Sequence, residues 1–579
     1  MTTAKFPVAV ERAYDVVIIG GGPVGLLLAY QLARFGVSVC VLEQHNKETQ
    51  DAYGRAIAFF PRTLELLDQL GVIEPMLQVG FACRNSVTYK DGKEVIPGRV
   101  WTFMENIKNT AYDFTLVMRQ MFTESIFREK LQSLGAVYRQ GAECIDFNCD
   151  EARGPEGYPI TSTFNDKTTQ TTFQLKSKYL VGADGGRSFV RRRSGIPFEG
   201  DTSEDKWIRI DGIVETDMPI TRAYGAIESK THGNVLWAPL DHGATRIGYA
   251  YSEAIAAKYP DGVTQEVAIQ EAVESMKPFK VEFKEVHWWT AYTIGQRIAK
   301  TFSTRDRIFL CGDAAHTHSS GAAQGLNTGI HDAVNLGWKL AMRIQGVARQ
   351  EVLQTYEAER TSAVRKLIDY DKDIALLMSN KWPTWYKGDP CADPHVVLGE
   401  IFEKAASFNT GLGISYSENI LNQVLSHKNV CSLAPGSRPP DVELKMPGTN
   451  QSLRLQKITP NQAIFWVLVF TGSNNSRIRD QITSLEQYLR TAPKLIYCKS
   501  IRWLTIITGT GSSPYEALGR TPLGDAYFSS DNVTHDRLGI DSKNGAVVVL
   551  RPDGLVGASG HIRGDWIYKY FSGISCIDE

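Results

Sequence analysis

The segment Gly20-x-Gly22-x-x-Gly25 constrains this chain more than any other part of it. The apolar run YDVVII (14–19) leads into it, and a second apolar run leads out to about Arg34. Together they read as a buried strand, a tight turn and a helix. Gly36 stops the helix, and VSVCVLE (37–43) reads as the next strand. A strand–helix–strand unit of this kind commits the chain to an α/β fold with a parallel sheet. The glycines let the backbone turn tightly and approach a pyrophosphate, and the helix N-terminus offers its free N–H groups to that anion. Glu43 ends the second strand, where a carboxylate can accept both hydroxyls of an adenosine ribose. Gly20, Gly22, Pro23, Gly25 and Glu43 are therefore dinucleotide-binding candidates. The motif alone fits NAD and FAD equally.

The chain has 579 residues, enough for about two to four domains. Its 63 basic and 64 acidic residues nearly cancel, so charge points to neither nucleic acid nor an anionic membrane as partner. The most apolar stretch, 16–32, is broken by Gly20, Gly21, Gly22, Pro23 and Gly25 and does not read as a membrane span. The nine cysteines are scattered, odd in number and without a CxxC pair, which suits a reducing cytoplasm rather than a disulfide framework.

Two further segments carry chemistry. RIFLCGDAAH (307–316) reads as a buried strand ending in Gly312-Asp313, followed by the loop HTHSSGAAQG and a helix from about Leu326. An acid at a strand end can accept a ribityl hydroxyl. The alternative for Asp313 is a helix-entry cap. The new helix N-terminus, with Gln324, Gly325, Leu326 and Asn327, can face the pyrimidine edge of a flavin and stabilise negative charge there. His316 and His318 lack a third ligand, so no metal site is expected. YLVGADGGRSFVRR (179–192) again places an acid, Asp184, at a strand end with basic residues after it.

In this order, the three segments resemble the flavoprotein aromatic hydroxylases of the para-hydroxybenzoate and phenol hydroxylase type, over about residues 12–375. The resemblance implies FAD as cofactor, NADH or NADPH and O2 as co-substrates, and a small aromatic, phenolic substrate. It implies that Asp313 touches the ribityl chain and that Asp184 belongs to a segment contacting FAD and associated with the nicotinamide nucleotide. GRAIAFFPRTLELL and LVMRQMFTESIFREKL resemble two flavin-contacting segments, which adds Arg55, Arg119 and Gln120. Many relatives carry a proline in the loop after GDAAH, where this chain reads His318-Ser319-Ser320-Gly321. Ser320 is a substrate-pocket candidate on that account. LAPGSRPPDVELK, FWVLVF and VVLRPDGLVG resemble the thioredoxin-like domain of the phenol hydroxylase subgroup, often near a dimer contact, but TGSNNSR stands where a redox CxxC would be.

The expected architecture is α/β: a Rossmann-like FAD-binding domain (12–195 and 295–375), an inserted antiparallel β-sheet substrate domain (196–294), a connector (376–432) and a thioredoxin-like α/β domain (433–579). The pocket is expected between the flavin and the middle sheet, lined by Tyr224, Trp237, Pro239, His242 and Tyr249. Tyr224 or His242 would relay the phenol proton. In this chemistry, as the resemblance implies, a C4a-hydroperoxide of the reduced flavin delivers electrophilic oxygen to the ring. Other flavin-dependent oxidoreductases on the same fold are the alternative: dehydrogenases, epoxidases or other ring-oxidising enzymes, and halogenases, whose usual WxWxIP signature is absent. A second alternative is an inactive ligand-binding scaffold, against which the intact cofactor motifs argue. Acid or heat treatment of the purified chain is expected to release free FAD. Release of FMN, or flavin that stays on the denatured chain, would contradict the motif reading.

Overall fold

The computed structural model describes residues 9–47, 54, 56–150, 152, 154, 157–319, 321–389, 391–424, 430–472, 476–492, 499–530 and 533–575. Arg55, Ser320, Cys498 and Cys576 lie outside the described residues.

The N-terminal unit forms as its sequence dictates. Strand β1 (Ala9–Ile19) runs into helix α1 (Pro23–Arg34), with proline in the first turn where no N–H is needed, and then into strand β2 (Val39–Leu42). β1 lies between β2 and the strand Thr171–Gly182 and is parallel to both. Thr171–Gly182 in turn runs parallel to Ile308–Leu310. All four strands are buried at these ends, as a parallel sheet covered on both faces requires. Two long helices complete this layer. Gly325–Ile344 packs on α1, and Gln350–Met378 packs on Gly325–Ile344.

A second eight-stranded sheet carries the long antiparallel pair Phe198–Thr216 and Val281–Ala299. It is not confined to 196–294. Ser86–Lys90 and Lys93–Glu94 extend one edge, and His316–Thr317, from the loop after GDAAH, forms the other. Those short strands sit in stretches read as belonging to the cofactor layer, because a strand of two to five residues carries too little periodicity to be assigned to a sheet from sequence. The stretch 376–432 is also more than a connector. Asp393 accepts a hydrogen bond from the backbone N–H of His395 and caps the helix Pro394–Lys404, with Pro394 at its first position. Pro394 therefore starts a helix rather than breaking one. Phe402 of that helix packs on Trp101 and Phe103, ring centroids 5.0 and 6.0 Å apart.

Among the described residues the C-terminal stretch builds a seven-stranded mixed sheet, in which Phe465–Phe470 runs parallel to the central strand Ile501–Thr508 and antiparallel to Ala546–Leu550. It docks on the cofactor layer through buried charges. Arg551 donates to both Glu359 oxygens (2.6 and 3.0 Å) and to Asp553 (2.6 Å). Lys339 reaches Glu359 at 2.8 Å, and Arg438 pairs with Glu65. Burial works against the Glu359 charge, but Arg551 and Lys339 outweigh it and hold that carboxyl well below the usual range. Arg551→Met, which leaves Glu359 short of its main partner, should cost about 3–5 kcal/mol of stability in denaturant unfolding. A loss below about 1 kcal/mol would show that the docking does not depend on this pair.

Candidate active site

Register brings the three chemical segments together. Ile19 is the partner of Gly182 in the parallel ladder, and Gly182 is the partner of Leu310. The loops that follow, beginning at Gly20, Ala183 and Cys311, therefore leave the sheet side by side. Close packing between them explains two of the glycines. Gly20 has φ +110°, and a Cβ there would lie 2.3 Å from the Ala183 carbonyl oxygen. A Cβ on Gly25 would lie 2.1 Å from the Gly20 carbonyl oxygen. Nothing lies within 4 Å of a Cβ built on Gly22, so the space above the first turn of α1 is open.

That space is one end of a cavity of about 1080 Å³. Gly22, Pro23 and Val24 line it, as do Gly185 and Gly186, Asp313, Gln120, and the helix start Gly325-Leu326. Two helix N-termini thus open on the same cavity, which suits a ligand carrying negative charge. Among the described residues six arginines line it (Arg187, Arg191, Arg192, Arg209, Arg246 and Arg297), against one acid, Asp313. At the far end the wall is the second sheet: Tyr224, Leu236, Arg209, Arg246, Trp288, Thr290 and Tyr292.

The other predicted cofactor residues hold the frame or stand beside the cavity. The Glu43 carboxylate accepts from the backbone N–H groups of Gly21 and His45, each at 2.8 Å. Asp184 accepts from the N–H groups of Phe189 (2.6 Å) and Val190 (3.1 Å), which caps the helix Phe189–Arg193. Its other oxygen is buried and has no partner among the described residues. Burial raises its pKa. Gln324 donates to the Asn409 carbonyl at 2.8 Å. Asn327 accepts from Phe60 N–H and donates to the Ala58 carbonyl, both at 2.9 Å, tying that strand to the Gly325–Ile344 helix. Arg119 turns away from the cavity and grips Asp241 at 2.8 and 2.5 Å, which fastens the helix Gln120–Ser133 to a turn of the second sheet. Burial works against the Asp241 charge, yet Arg119 and its N–H keep that carboxyl below its ordinary value.

Strand alternation corrects the expected pocket lining. Leu236 faces the cavity, so its neighbours Val235 and Trp237 face the opposite side. Trp237 donates to the Thr221 carbonyl at 2.9 Å, and the Tyr249 hydroxyl donates to the Ala268 carbonyl at 2.9 Å. Both belong to the cluster under the helix Gln265–Ser275. Pro239 shares the parity of Trp237 and is absent from the lining. His242 sits in a tight reversal at φ +50°, with its side chain 58% exposed and its ring 4.9 Å from Phe122, so it lies outside the cavity. Tyr224, by contrast, does line it.

Several residues escaped the sequence reading. Arg209, Asp211 and Arg246 form a charged patch on the cavity face of the sheet. Arg246 holds Asp211 with two bonds (2.6 and 2.8 Å), and the absence of a side chain at Gly248 leaves room for Arg209. The signal was present in WIRIDGIV, where polar residues alternate with apolar ones. Asp332 and Arg360 gave no such signal, because they sit on separate helices. Asp332 accepts from Gly312 N–H (3.0 Å), bonds His316 Nε2 (2.7 Å) and accepts from Arg360 (2.6 Å). Arg191 donates to the carbonyls of Ala314 (2.7 Å) and Gly186 (2.8 Å), joining two of the three loops.

The comparisons with known proteins agree with this geometry. Residues 13–371 match the model of the FAD binding domain family, and 523–578 match the phenol hydroxylase C-terminal dimerisation domain. The chain is 30% identical to the 3-hydroxybenzoate 4-monooxygenase of Comamonas testosteroni, over 95% of this chain and 92% of that one. It is 28% identical to the phenol 2-monooxygenase fsqG of Aspergillus fumigatus, over 94% and 93%. The fold matches the flavin-dependent monooxygenase PieE (TM-score 0.73, 20% identity, 98% and 99% covered). It also matches aklavinone-11 hydroxylase (TM-score 0.71, 20% identity, 97% and 99% covered). The chain belongs to the FAD-dependent aromatic monooxygenases, which use NAD(P)H and O2. Among the described residues no helix is long and apolar enough to cross a membrane.

Burial alone would raise the Asp332 carboxyl, but Arg360 and His316 outweigh it and bring it down to about 2. A depressed carboxyl stabilises the fold above its ordinary value and loses that contribution as pH falls through the folded value. Between about pH 4 and pH 2 the protein should therefore lose about 2 kcal/mol through this group. The stability gap between wild type and Asp332→Asn, measured by denaturant unfolding, should narrow over that window. A gap independent of pH would contradict the assignment.

Proposed function

We propose that this enzyme hydroxylates a phenolic ring at the sheet end of the cavity, with Tyr224 as the proton relay. The observation that carries this reading is one continuous cavity reaching from the first turn of α1 to Tyr224. The open space over Gly22 and the two helix N-termini fit FAD. The first turn of α1 would hold the pyrophosphate, Glu43 the adenosine ribose, Asp313 the ribityl chain, and Gly325-Leu326 the pyrimidine edge. Gln120 lines the cavity and donates to Glu124 at 2.8 Å, so its carbonyl oxygen remains an acceptor. Bound FAD supplies the redox chemistry, taking hydride from NAD(P)H and using O2 to place one oxygen atom on the ring and the other in water.

The protein's part is orientation, exclusion of water and control of one proton. Burial pushes the Tyr224 phenol up to about 12, while Arg246 and Arg209 pull it back. At neutral pH it is therefore a neutral hydroxyl able to donate and accept. The same two guanidinium groups lower the cost of a negative oxygen beside Tyr224, which favours the electron-rich phenolate form of a substrate. The Tyr224 ring is held against Trp101, centroids 5.0 Å apart. We further propose a homodimer and a cytoplasmic location. The matched C-terminal family supports the first, and seven described cysteines without a disulfide support the second.

A panel of phenols offered to the FAD-loaded protein, scored by mass spectrometry for hydroxylated product, tests the reading. With the best substrate, Tyr224→Phe should lower kcat by about 10²-fold or more while KM changes little. No coupled product from any phenol would remove the substrate class, and an unchanged kcat in the variant would remove Tyr224.

A further inference from the structure

The loop between His316 and Gln324 borders the cavity through Thr317, His318, Ser319 and Ala323. It lacks the proline that many relatives carry there, so its backbone is not stiffened by a ring. Its restraint comes from behind. Asp371, midway along the Gln350–Met378 helix, is fully buried. Its carboxylate accepts from Ser319 N–H (2.6 Å), from the Ser319 hydroxyl (2.6 Å) and from the Gln296 amide (2.8 Å). The Ser319 hydroxyl oxygen in turn accepts from Gly321 N–H at 3.0 Å. The Ser319 carbonyl accepts from His318 Nδ1–H at 2.9 Å. A carbonyl cannot donate, so that bond fixes a proton on Nδ1, and in the neutral ring Nε2 is then the acceptor. His318 Nε2 is buried without a partner among the described residues, beside the first turn of the Gly325–Ile344 helix.

We propose that Asp371 is a positioning residue of this active site. Through Ser319 it sets the depth of the loop and the orientation of the His318 ring, and so the spacing between the two ends of the cavity. A buried carboxylate is expensive unless its lone pairs are filled. Two of its three bonds go to a single cavity-lining residue and the third to Gln296 on the long strand Val281–Ala299 of the substrate sheet. The acceptor at His318 Nε2 suits a bound ring system that presents an N–H or O–H donor at that point. The consequence for the reaction rests on the FAD monooxygenase reading, whereas the clamp itself does not.

Asp371→Asn keeps the side chain's size and turns an amide N–H toward the Ser319 donors. Ser319→Ala removes only the hydroxyl. In Asp371→Asn, hydrogen exchange of the amides at 317–321 should speed up at least about tenfold, with FAD affinity of the apo-protein within about threefold of wild type. NAD(P)H oxidation should continue while the fraction coupled to hydroxylated product falls at least about fivefold, the rest appearing as peroxide. Because both variants open one clamp, the double variant should match Asp371→Asn rather than multiply the two losses. If Asp371→Asn does not fold, Ser319→Ala must show the same faster exchange and lower coupling. Unchanged exchange overturns the clamp. Faster exchange with unchanged coupling makes it structural only and overturns the positioning role. If the wild type hydroxylates no phenol, exchange in the apo-protein still decides the clamp, and the failure belongs to the functional reading.

Discussion

β1, the strand Thr171–Gly182 and the strand Ile308–Leu310 end on one line, because Ile19 pairs with Gly182 and Gly182 with Leu310. Residues far apart in the chain leave the sheet side by side only because of that parallel register. The pyrophosphate turn, the Asp184 segment and the Gly312-Asp313 loop are one site for this reason. The packing is tight enough that Gly20 and Gly25 tolerate no side chain.

Buried charge then holds the line in place. Asp332 joins the Gly312 loop to both long helices through His316 and Arg360, and Arg191 joins the same loop to Gly186. On the same two helices Glu359 pairs with Lys339 and also accepts from Arg551 of the C-terminal layer. One helix, Gly325–Ile344, therefore presents its N-terminus to the cavity and is braced in its middle by the docked C-terminal layer. Such ion clusters contribute less to net stability than their bond count suggests, because each charge was desolvated to enter. They select one arrangement of the helices, since any other leaves a buried charge unpaired.

The cavity wall divides the work between a cofactor end rich in backbone N–H groups and a sheet end rich in side chains. At the sheet end Tyr224 stands between two guanidinium groups and an aromatic wall, a setting that can hold a proton or a negative oxygen. The loop from His316 to Gln324 borders the same cavity. It pairs with Val281–Ala299 as an edge strand and is tied to the Gln350–Met378 helix through Asp371, so its position is set by the substrate sheet and the cofactor layer together.

The sequence by itself determined the strand–turn–helix at Gly20, the acid at the end of the second strand, and the Gly312-Asp313 loop with its following helix. Each is a local pattern, in which spacing within a few residues fixes geometry. Tertiary structure decided the rest. Which face of the sheet meets the cavity depends on parity, and one residue's difference sends Leu236 inward and Trp237 outward. Arg119 is held by Asp241, 122 positions away, a pairing that no local pattern announces. Short strands from two other parts of the chain extend the substrate sheet, and a helix hides among the prolines of 376–432. Pairings of this kind join residues whose separation in sequence carries no periodic signal, so only the folded chain could show them.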